Sequence, residues 1–545
     1  METNSARIEI DNADPGADAD RRWLALAVLC LSLVLIVLDN TVLNVALPTL
    51  VRQLGATTTQ LQWMVDAYVI VFAGLLLSAG ALGDRFGRRR ALQLGLVVFA
   101  LSSGLAAFSG TSGQLIGARS VMGLGAAFVM PATLSIITNI FTDPRERARA
   151  IAIWAGMAGV GVALGPVVGG WLLEHFWWGS VFLINLPIVA LALVAGRLLL
   201  PESREAGTSR LDVVGAALSV AAIGVLLWAI IEGPVKGWGD VTTLGAFGLA
   251  AALLLAFFVW ESRVDDPMLD VAFFADPRFS AASAGIALVF FALFGSFFLF
   301  TQLLQFVLGY TPLEAGLRLL PISVVLGVVS PISARLVERM GTKVVVTAGL
   351  VIAGAGLFMA AGLEAGSSYG ELLRSMLVLA AGMGLTMAPA TESIMGSLPP
   401  AKAGVGSAVN DTTRELGGAL GVAVLGSLLA SGYATSLGDA MAGSPIPGEA
   451  LGLAQESVGA ALAVAGSVGG AAGGLLAEAA RTAFVDAMGI GLVVAGGAAL
   501  VGAAVAAAFL PGRARGLEAP APGTDVGEPV VLDVPEAPTG APEPA

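Results

Sequence analysis

Gly80-Ala81-Leu82-Gly83-Asp84-Arg85-Phe86-Gly87-Arg88-Arg89-Arg90 decides how this chain is read. Five of the eleven residues are charged, yet an apolar run long enough to span a bilayer enters the stretch and another leaves it. A charged turn with no polar linker on either side belongs at a membrane surface, between two spanning helices. Its four arginines mark the cytoplasmic face, because Lys/Arg bias sets orientation. Gly83 and Gly87 permit a tight reversal, and Asp84 can accept hydrogen bonds from a helix N-terminus or an arginine. Charge alone would also suit an ordinary basic anchor loop; the order of the residues is more particular than that.

The composition agrees with a polytopic membrane protein. Hydrophobic residues make up 56% of the chain and charged ones 12%, far from the balance of soluble domains. The net charge of -12 gathers largely in the two polar ends and does not describe the bilayer-facing surface. Nothing points to nucleic acid. The only cysteine, Cys30, lies within an apolar run, which excludes a disulfide framework, and the only histidine, His175, sits at a loop edge. The first apolar run is too long for a signal peptide and has no small-residue cleavage site, so it reads as an uncleaved first span.

Apolar runs of spanning length fall near 23–47, 61–82, 91–109, 113–138, 148–172, 179–199, 211–231, 242–260, 280–309, 313–336, 343–363, 371–391, 404–430 and 484–510, which makes fourteen. Residues 1–22 and the Pro/Ala/Glu-rich tail 511–545 read as disordered and cytoplasmic. The expected division is a six-helix half (23–199), two extra helices with linkers (200–278) and a second six-helix half (279–510). Residues 431–483 read as a long outer loop with room for a partly inserted hairpin, because Gly459, Gly466, Gly469, Gly470, Gly473 and Gly474 weaken any helix there; the alternative, a fifteenth span at 458–477, would put Arg513 and Arg515 outside.

With both ends inside, the inner loops collect Arg7, Arg21, Arg22, the cluster at 85–90, Arg145, Arg147, Arg149, Arg197, Arg204, Arg210, Arg263, Arg278, Arg335, Arg339, Lys343, Lys402, Arg513 and Arg515. The outer loops hold Arg52, Lys236 and Arg481, with Arg318 and Arg374 just inside outer helix ends. So one-sided a distribution fixes the expected topology in the cytoplasmic membrane.

An internal repeat runs through the chain. Gly123-Leu124-Gly125 with Pro131-Ala132-Thr133 echoes Gly382-Met383-Gly384 with Pro389-Ala390-Thr391. Ala163-Leu164-Gly165 echoes Ala419-Leu420-Gly421, and Asp84-Arg85-Phe86-Gly87 has a degraded copy in Glu338-Arg339-Met340-Gly341. The offsets run from 254 to 259 residues. Two related halves rocking about a central site is the alternating-access design.

Several residues could carry chemistry. Asp39 lies late in the first span; a carboxylate at that depth is costly unless it faces a cavity or a partner, although an interfacial position near the helix end would also tolerate it. Asn40 and Asn44 stack one turn apart beside it. Arg119, buried in the fourth span, needs a carboxylate, a carbonyl or water, and a purely structural ion pair would also satisfy it. Asp66 lies inside the second span and Glu232 ends the seventh. Asn410-Asp411-Thr412-Thr413-Arg414-Glu415 opens the thirteenth span, where Arg414 and Glu415 are either a gate or second titrating site, or a neighbourhood of solvated charges. Tyr68, Gln302 and Gln305, with Asn40 and Asn44, are the candidate lining of a substrate cavity. The fifth span carries Gly161-x-x-x-Gly165-Pro166-x-x-Gly169-Gly170, a smooth face for close helix packing with a proline that permits a bend.

Gly80, Gly83, Asp84, Arg85, Gly87, Arg88 and Arg89 resemble the loop between helices 2 and 3 of the major facilitator superfamily, G-x-x-x-D-R-x-G-R-R. With the helix 5 motif (Gly161, Gly165, Pro166, Gly169, Gly170), Val181-Phe182-Leu183-Ile184-Asn185-Leu186-Pro187 and Gly309-Tyr310-Thr311-Pro312, the chain is similar to the fourteen-helix drug:proton antiporters of that superfamily. The resemblance covers roughly residues 23–510. It implies an all-α major facilitator fold that exports amphipathic drugs or antibiotics in exchange for protons. It also implies a proton-coupling role for Arg119 and a helix 5 motif characteristic of antiporters rather than importers. The other candidates for proton coupling are Asp39, Asp66, Arg414 and Glu415. The expected partners are a small amphipathic substrate, protons and the lipid bilayer, with no cofactor beyond the proton gradient and a monomeric state. Glu338 in the second loop motif and the Gly/Ala-rich 431–483 depart from the family pattern. A proton-coupled importer of a specific metabolite and a non-transporting sensor are the rival readings, and no nucleotide loop, metal cluster or nucleophile constellation suggests an enzyme.

Overall fold

The computed structural model describes residues 15–204, 212–264, 267, 269–397 and 403–510. Most of the two polar ends, with Arg7, Arg513 and Arg515, and also Arg210 and Lys402, lie outside the described residues. The described part is helical. In order it has α1 (Pro15–Leu54), α2 (Thr58–Phe86), α3 (Arg88–Ala107), α4 (Ser112–Ile140), α5 (Pro144–His175), α6 (Ser180–Leu183), α7 (Asn185–Leu199), α8 (Val213–Lys236) and α9 (Val241–Glu261). Then come α10 (Pro277–Gln302), running on into a π segment at Leu303–Val307, α11 (Pro312–Met340), α12 (Thr342–Ala361), α13 (Tyr369–Gly396), α14 (Ala403–Ala440), α15 (Gly448–Glu456), α16 (Val458–Val468) and α17 (Gly470–Phe509). Fourteen spans among the described residues are long and apolar enough to cross a membrane, and each expected span falls on one of them.

Local chemistry sets the ends of these helices. Thr57 and Thr311 begin α2 and α11 with capping boxes, each hydroxyl accepting from the backbone N–H three residues on while Gln60 or Glu314 reaches back. The same two helices end at Gly87 and Gly341, whose φ angles of 121° and 83° suit glycine. Both pairs are 254 residues apart, so the repeat seen in the sequence extends to the caps. Packing repeats too: α1 lies on α5, and α2 and α3 both lie on α4; likewise α10 lies on α14, and α11 and α12 both lie on α13.

The two sets of helices meet where α2 packs on α14 and α5 on α11. The additional helix α8 lies against both α2 and α14: Trp63 Nε1 donates to Glu232 Oε1 at 3.3 Å, and Ser427 Oγ donates to the Ile230 carbonyl at 2.8 Å. Glu232 is therefore part of the seam.

The segment 431–483 is not a loop. α14 continues to Ala440, α15 and α16 are short helices, and α17 begins at Gly470, well before the expected 484. The small residues that weaken an isolated helix here let two helices come close: a side chain at Gly473 would strike the backbone of Ala465 on α16. Packing outweighs propensity.

Hydrogen bonds between the halves cluster toward the end where α1 stops and α2 starts. Gln62 Nε2 donates to the carbonyls of Val422 (3.3 Å) and Ala423 (2.8 Å), and Gln305 Nε2 donates to the Val45 carbonyl at 2.9 Å. Thr58 Oγ1 donates to the Glu456 carbonyl at 3.1 Å, and Arg52 lies over the Phe306 ring. At the opposite end the arginine-rich loop binds within its own half and to the linker that follows it. Arg88 Nε meets Asp84 Oδ1 at 2.6 Å, Ser135 Oγ donates to the same oxygen, and Glu202 accepts from the Arg89 backbone while its carboxylate lies near the Arg89 and Arg90 guanidinium groups. The molecule is thus bolted shut at one end.

Candidate functional site

Asp39 and Arg119 meet in the interior of the first half. Arg119 Nη1 donates to Asp39 Oδ2, and both side chains are sealed from solvent. α4 carries the guanidinium inward two turns after its Thr111 cap, and its remaining donors are also used. Nε donates to the Met64 carbonyl at 3.1 Å, Nη2 donates to Asn40 Oδ1 at 3.2 Å, and the plane lies over the Tyr68 ring at 4.3 Å. The planar fork of an arginine suits three acceptors at once, and the aromatic face adds a cation–π contact. Of the options open to Arg119 in the sequence, a carboxylate and a carbonyl are both taken.

The other oxygen of Asp39 is held from a different side. Asn185 Nδ2 donates to Asp39 Oδ1 at 2.8 Å and to Ser103 Oγ at 2.9 Å, and Ser103 Oγ donates to the Phe182 carbonyl at 2.8 Å. Asn185 is the first residue of α7, just after the break at Ile184, and that break turns its amide inward. Asn185 and Ser103 were missed as site residues. The signal for Asn185 was a polar amide followed by Leu186-Pro187 in an apolar run; Ser103, a small hydroxyl, gave none.

Burying an ion pair is worthwhile only when the remaining lone pairs and protons are also met, and here nearly all are. Removing either partner would leave an uncompensated buried charge.

Asp66 stands apart from this network. It is fully buried, neither carboxylate oxygen has a hydrogen-bond partner among the described residues, and it lies one turn from Gln62 on the side of α2 that packs on α14. At the other end of α14, Arg414 pairs with Asp411 at 3.6 Å, accepts company from the Phe290 ring and donates to Thr391 Oγ1 at 3.2 Å. The ion pair of Arg414 is thus with Asp411. One oxygen of Glu415 is buried without a hydrogen-bond partner among the described residues, and its charge lies within electrostatic reach of the Tyr68 hydroxyl across the seam. Thr391, Glu392, Ser330, Met387 and Arg414 line a cleft of about 380 Å³ in the second half.

The expected cavity residues are mostly spent in this conformation. Asn44, Tyr68, Gln302 and Gln305 are buried, and Asn40 is partly exposed. Asn44 Nδ2 donates to the Asn40 carbonyl, Gln302 Nε2 to the Phe298 carbonyl of its own helix, and Gln305 to Val45 across the seam. Gln305 is thus one of the bolts of the closed end.

The glycine face of α5 is wedged between two helices. A methyl group at Gly165 would collide with the Thr41 hydroxyl of α1, and Thr41 Oγ1 in turn points to the Gly161 carbonyl at 3.5 Å. Beyond Pro166, a side chain at Gly170 would meet the backbone of Leu313 on α11, and Gly316 of α11 lies against the Pro166 carbonyl. The motif is where the first half bears directly on the second.

Known proteins place this geometry in a family. The profile of the Major Facilitator Superfamily matches residues 29–422. The multidrug efflux pump LfrA of Mycolicibacterium smegmatis is 39% identical over 89% of this chain and 95% of its own length. The tetracenomycin C resistance and export protein of Streptomyces glaucescens is 33% identical over 89% and 91%. Among solved structures, an inward-facing, unoccupied bacterial homolog of the human lysosomal transporter Spinster superposes with a TM-score of 0.63, covering 92% of this chain and 99% of that one, at 18% identity that speaks for the fold alone. This multi-pass membrane chain belongs to the major facilitator superfamily.

Proposed function

We propose that the chain exports amphipathic drugs or antibiotics across the cytoplasmic membrane in exchange for protons, by alternating access. The observation that carries the reading is the Asp39–Arg119 pair, sealed from solvent in the interior of the first half. It is supported by relatives named as an efflux pump and an export protein. On the topology expected from Lys/Arg bias, both termini are cytoplasmic, the bolted end is the outer one and the conformation faces inward.

In this reading charged Asp39 holds Arg119, and the pair keeps the first half in one packing. A proton arriving from the outer side neutralises Asp39, leaves Arg119 with only Met64, Asn40 and Tyr68, and biases the halves toward the other packing. A substrate needs a roomy space edged by a few polar groups such as Asn40, opened as the halves rock. No cofactor is required beyond the gradient.

Energetics argue for more than one titrating group. One charge crossing 100 mV supplies about 2.3 kcal/mol. Swinging a two-state equilibrium from 1:99 to 99:1 takes about 5.5 kcal/mol. Asp66, buried with neither oxygen partnered among the described residues, and Glu415, half-buried with one oxygen unpartnered among them, are the carboxylates that would take a second proton.

The test is accumulation of a lipophilic cationic dye in inside-out vesicles bearing the protein. Accumulation that requires an imposed proton gradient and collapses with a protonophore is the expected result. Accumulation indifferent to the gradient would overturn the coupling.

A further inference from the structure

We infer that Asn185 is a positioning residue that serves the Asp39 carboxyl in both protonation states, by reversing its hydrogen-bond polarity together with Ser103. The inference rests on the reading of Asp39 as a proton-coupling carboxylate and adds the device that lets it titrate away from water.

The orientation of the amide follows from its neighbours. Ser103 has one hydroxyl proton and gives it to the Phe182 carbonyl. Toward Asn185 it can therefore only accept, so Nδ2 faces it and spends its second hydrogen on Asp39 Oδ1. The amide oxygen of Asn185 is left buried without a hydrogen-bond partner among the described residues. All three side chains, Asp39, Ser103 and Asn185, are buried. An amide whose donors are both used and whose acceptor is idle is arranged for a negative carboxylate.

A protonated Asp39 would point its own O–H at an N–H, which is repulsive. A half-turn about the Asn185 side-chain amide exchanges Nδ2 and Oδ1 with little change of shape. The amide oxygen then accepts from the Asp39 hydroxyl, and the Ser103 hydroxyl rotates to donate to the same oxygen. The Phe182 carbonyl then gives up the hydroxyl and lies beside the backbone N–H of Ile184, which donates to the Ser180 carbonyl at 3.1 Å. Only the incoming proton is added, on Asp39; Ser103 and Asn185 keep theirs. One amide group is idle in each state, so the amide can serve both, the charge-assisted bond to the anion being the stronger, whereas a fixed backbone N–H would serve the anion alone.

Among the described residues, the other groups that bear on Asp39 are Arg119 from α4, Asn40 on its own helix and Tyr68 of α2 beneath the guanidinium. Glu415 of α14 lies beyond Tyr68. α5 offers glycines at this level, and α3 and α7 offer Ser103 and Asn185. Arg119 favours the anion throughout, and the reversible amide is the component that changes sign with the proton.

The test is pH-titrated infrared difference spectroscopy on the purified full-length protein in lipid nanodiscs. The carbonyl stretch of protonated Asp39 is assigned by its loss in Asp39→Asn. Its growth on acidification should be accompanied by a downshift of one asparagine side-chain carbonyl band, absent in Asp39→Asn. In Asn185→Leu, half-protonation should come at roughly a tenfold lower proton concentration, because the anion loses a charge-assisted donor. Ser103→Ala added to Asn185→Leu should change nothing further, since the two act as one unit. A titration of Asn185→Leu within twofold of the parent, or protonation of Asp39 in the parent with no amide shift, overturns the inference. Because the titration is read without transport, an absence of gradient-driven export would count against the coupling reading alone.

Discussion

Arg119 and Asp39 are joined across α4 and α1 with neither side chain open to solvent. An isolated buried charge is strongly destabilising, while a neutral pair of similar shape is often tolerated. Arg119→Leu should therefore lower stability by about 3 kcal/mol, and Asp39→Asn combined with Arg119→Gln should recover most of that loss. Thermal unfolding of the purified variants in one detergent checks this ordering. A double variant less stable than either single would contradict it.

Arg119→Lys is a separate matter. A lysine keeps the charge but cannot reach Asp39, Asn40 and the Met64 carbonyl together, nor lie flat on Tyr68. The variant should insert at parental levels and lose most gradient-driven dye accumulation in vesicles.

Gly165→Val should disable transport through packing. The added methyls meet the Thr41 hydroxyl and would force α5 away from α1, at about 1–3 kcal/mol. Thr41→Gly in the same protein removes both the hydroxyl and the Cβ that lies 2.7 Å from the added carbon, and should restore part of the activity. Dye efflux from cells expressing equal amounts of each variant reads the difference.

Gln305→Leu removes a bolt of the closed end, the hydrogen bond to the Val45 carbonyl. Losing about 1 kcal/mol from one conformation shifts the equilibrium roughly fivefold toward the other. Spin-label distances between α2 and α14 near Gln62 and Ser427 should show a larger separated population. An unchanged distribution would mean that Gln305 does not hold the halves together.

How much of this was legible in the sequence depended on the kind of signal. The fourteen spans were legible because apolar length is a direct physical requirement, and Asp39 and Arg119 because a charge in such a run is conspicuous. That the two meet, 80 residues apart, is a property of helix packing that no local string encodes. Asn185 and Ser103 were hidden because neutral polar side chains satisfy themselves within many helices. Arg414 was seen, but its ion pair with Asp411 depends on helix rotation. The helices of 431–483 were hidden by glycines, which weaken a lone helix yet permit the close approach of α16 and α17.

The most direct measurement compares the parent with Asp39→Asn in inside-out vesicles, reading both gradient-driven dye accumulation and gradient-free dye exchange. Coupling through Asp39 predicts that the variant loses accumulation and keeps exchange, because the halves can still rock without the proton. Accumulation at parental rates in Asp39→Asn would contradict the account and move the coupling to Asp66 or Glu415.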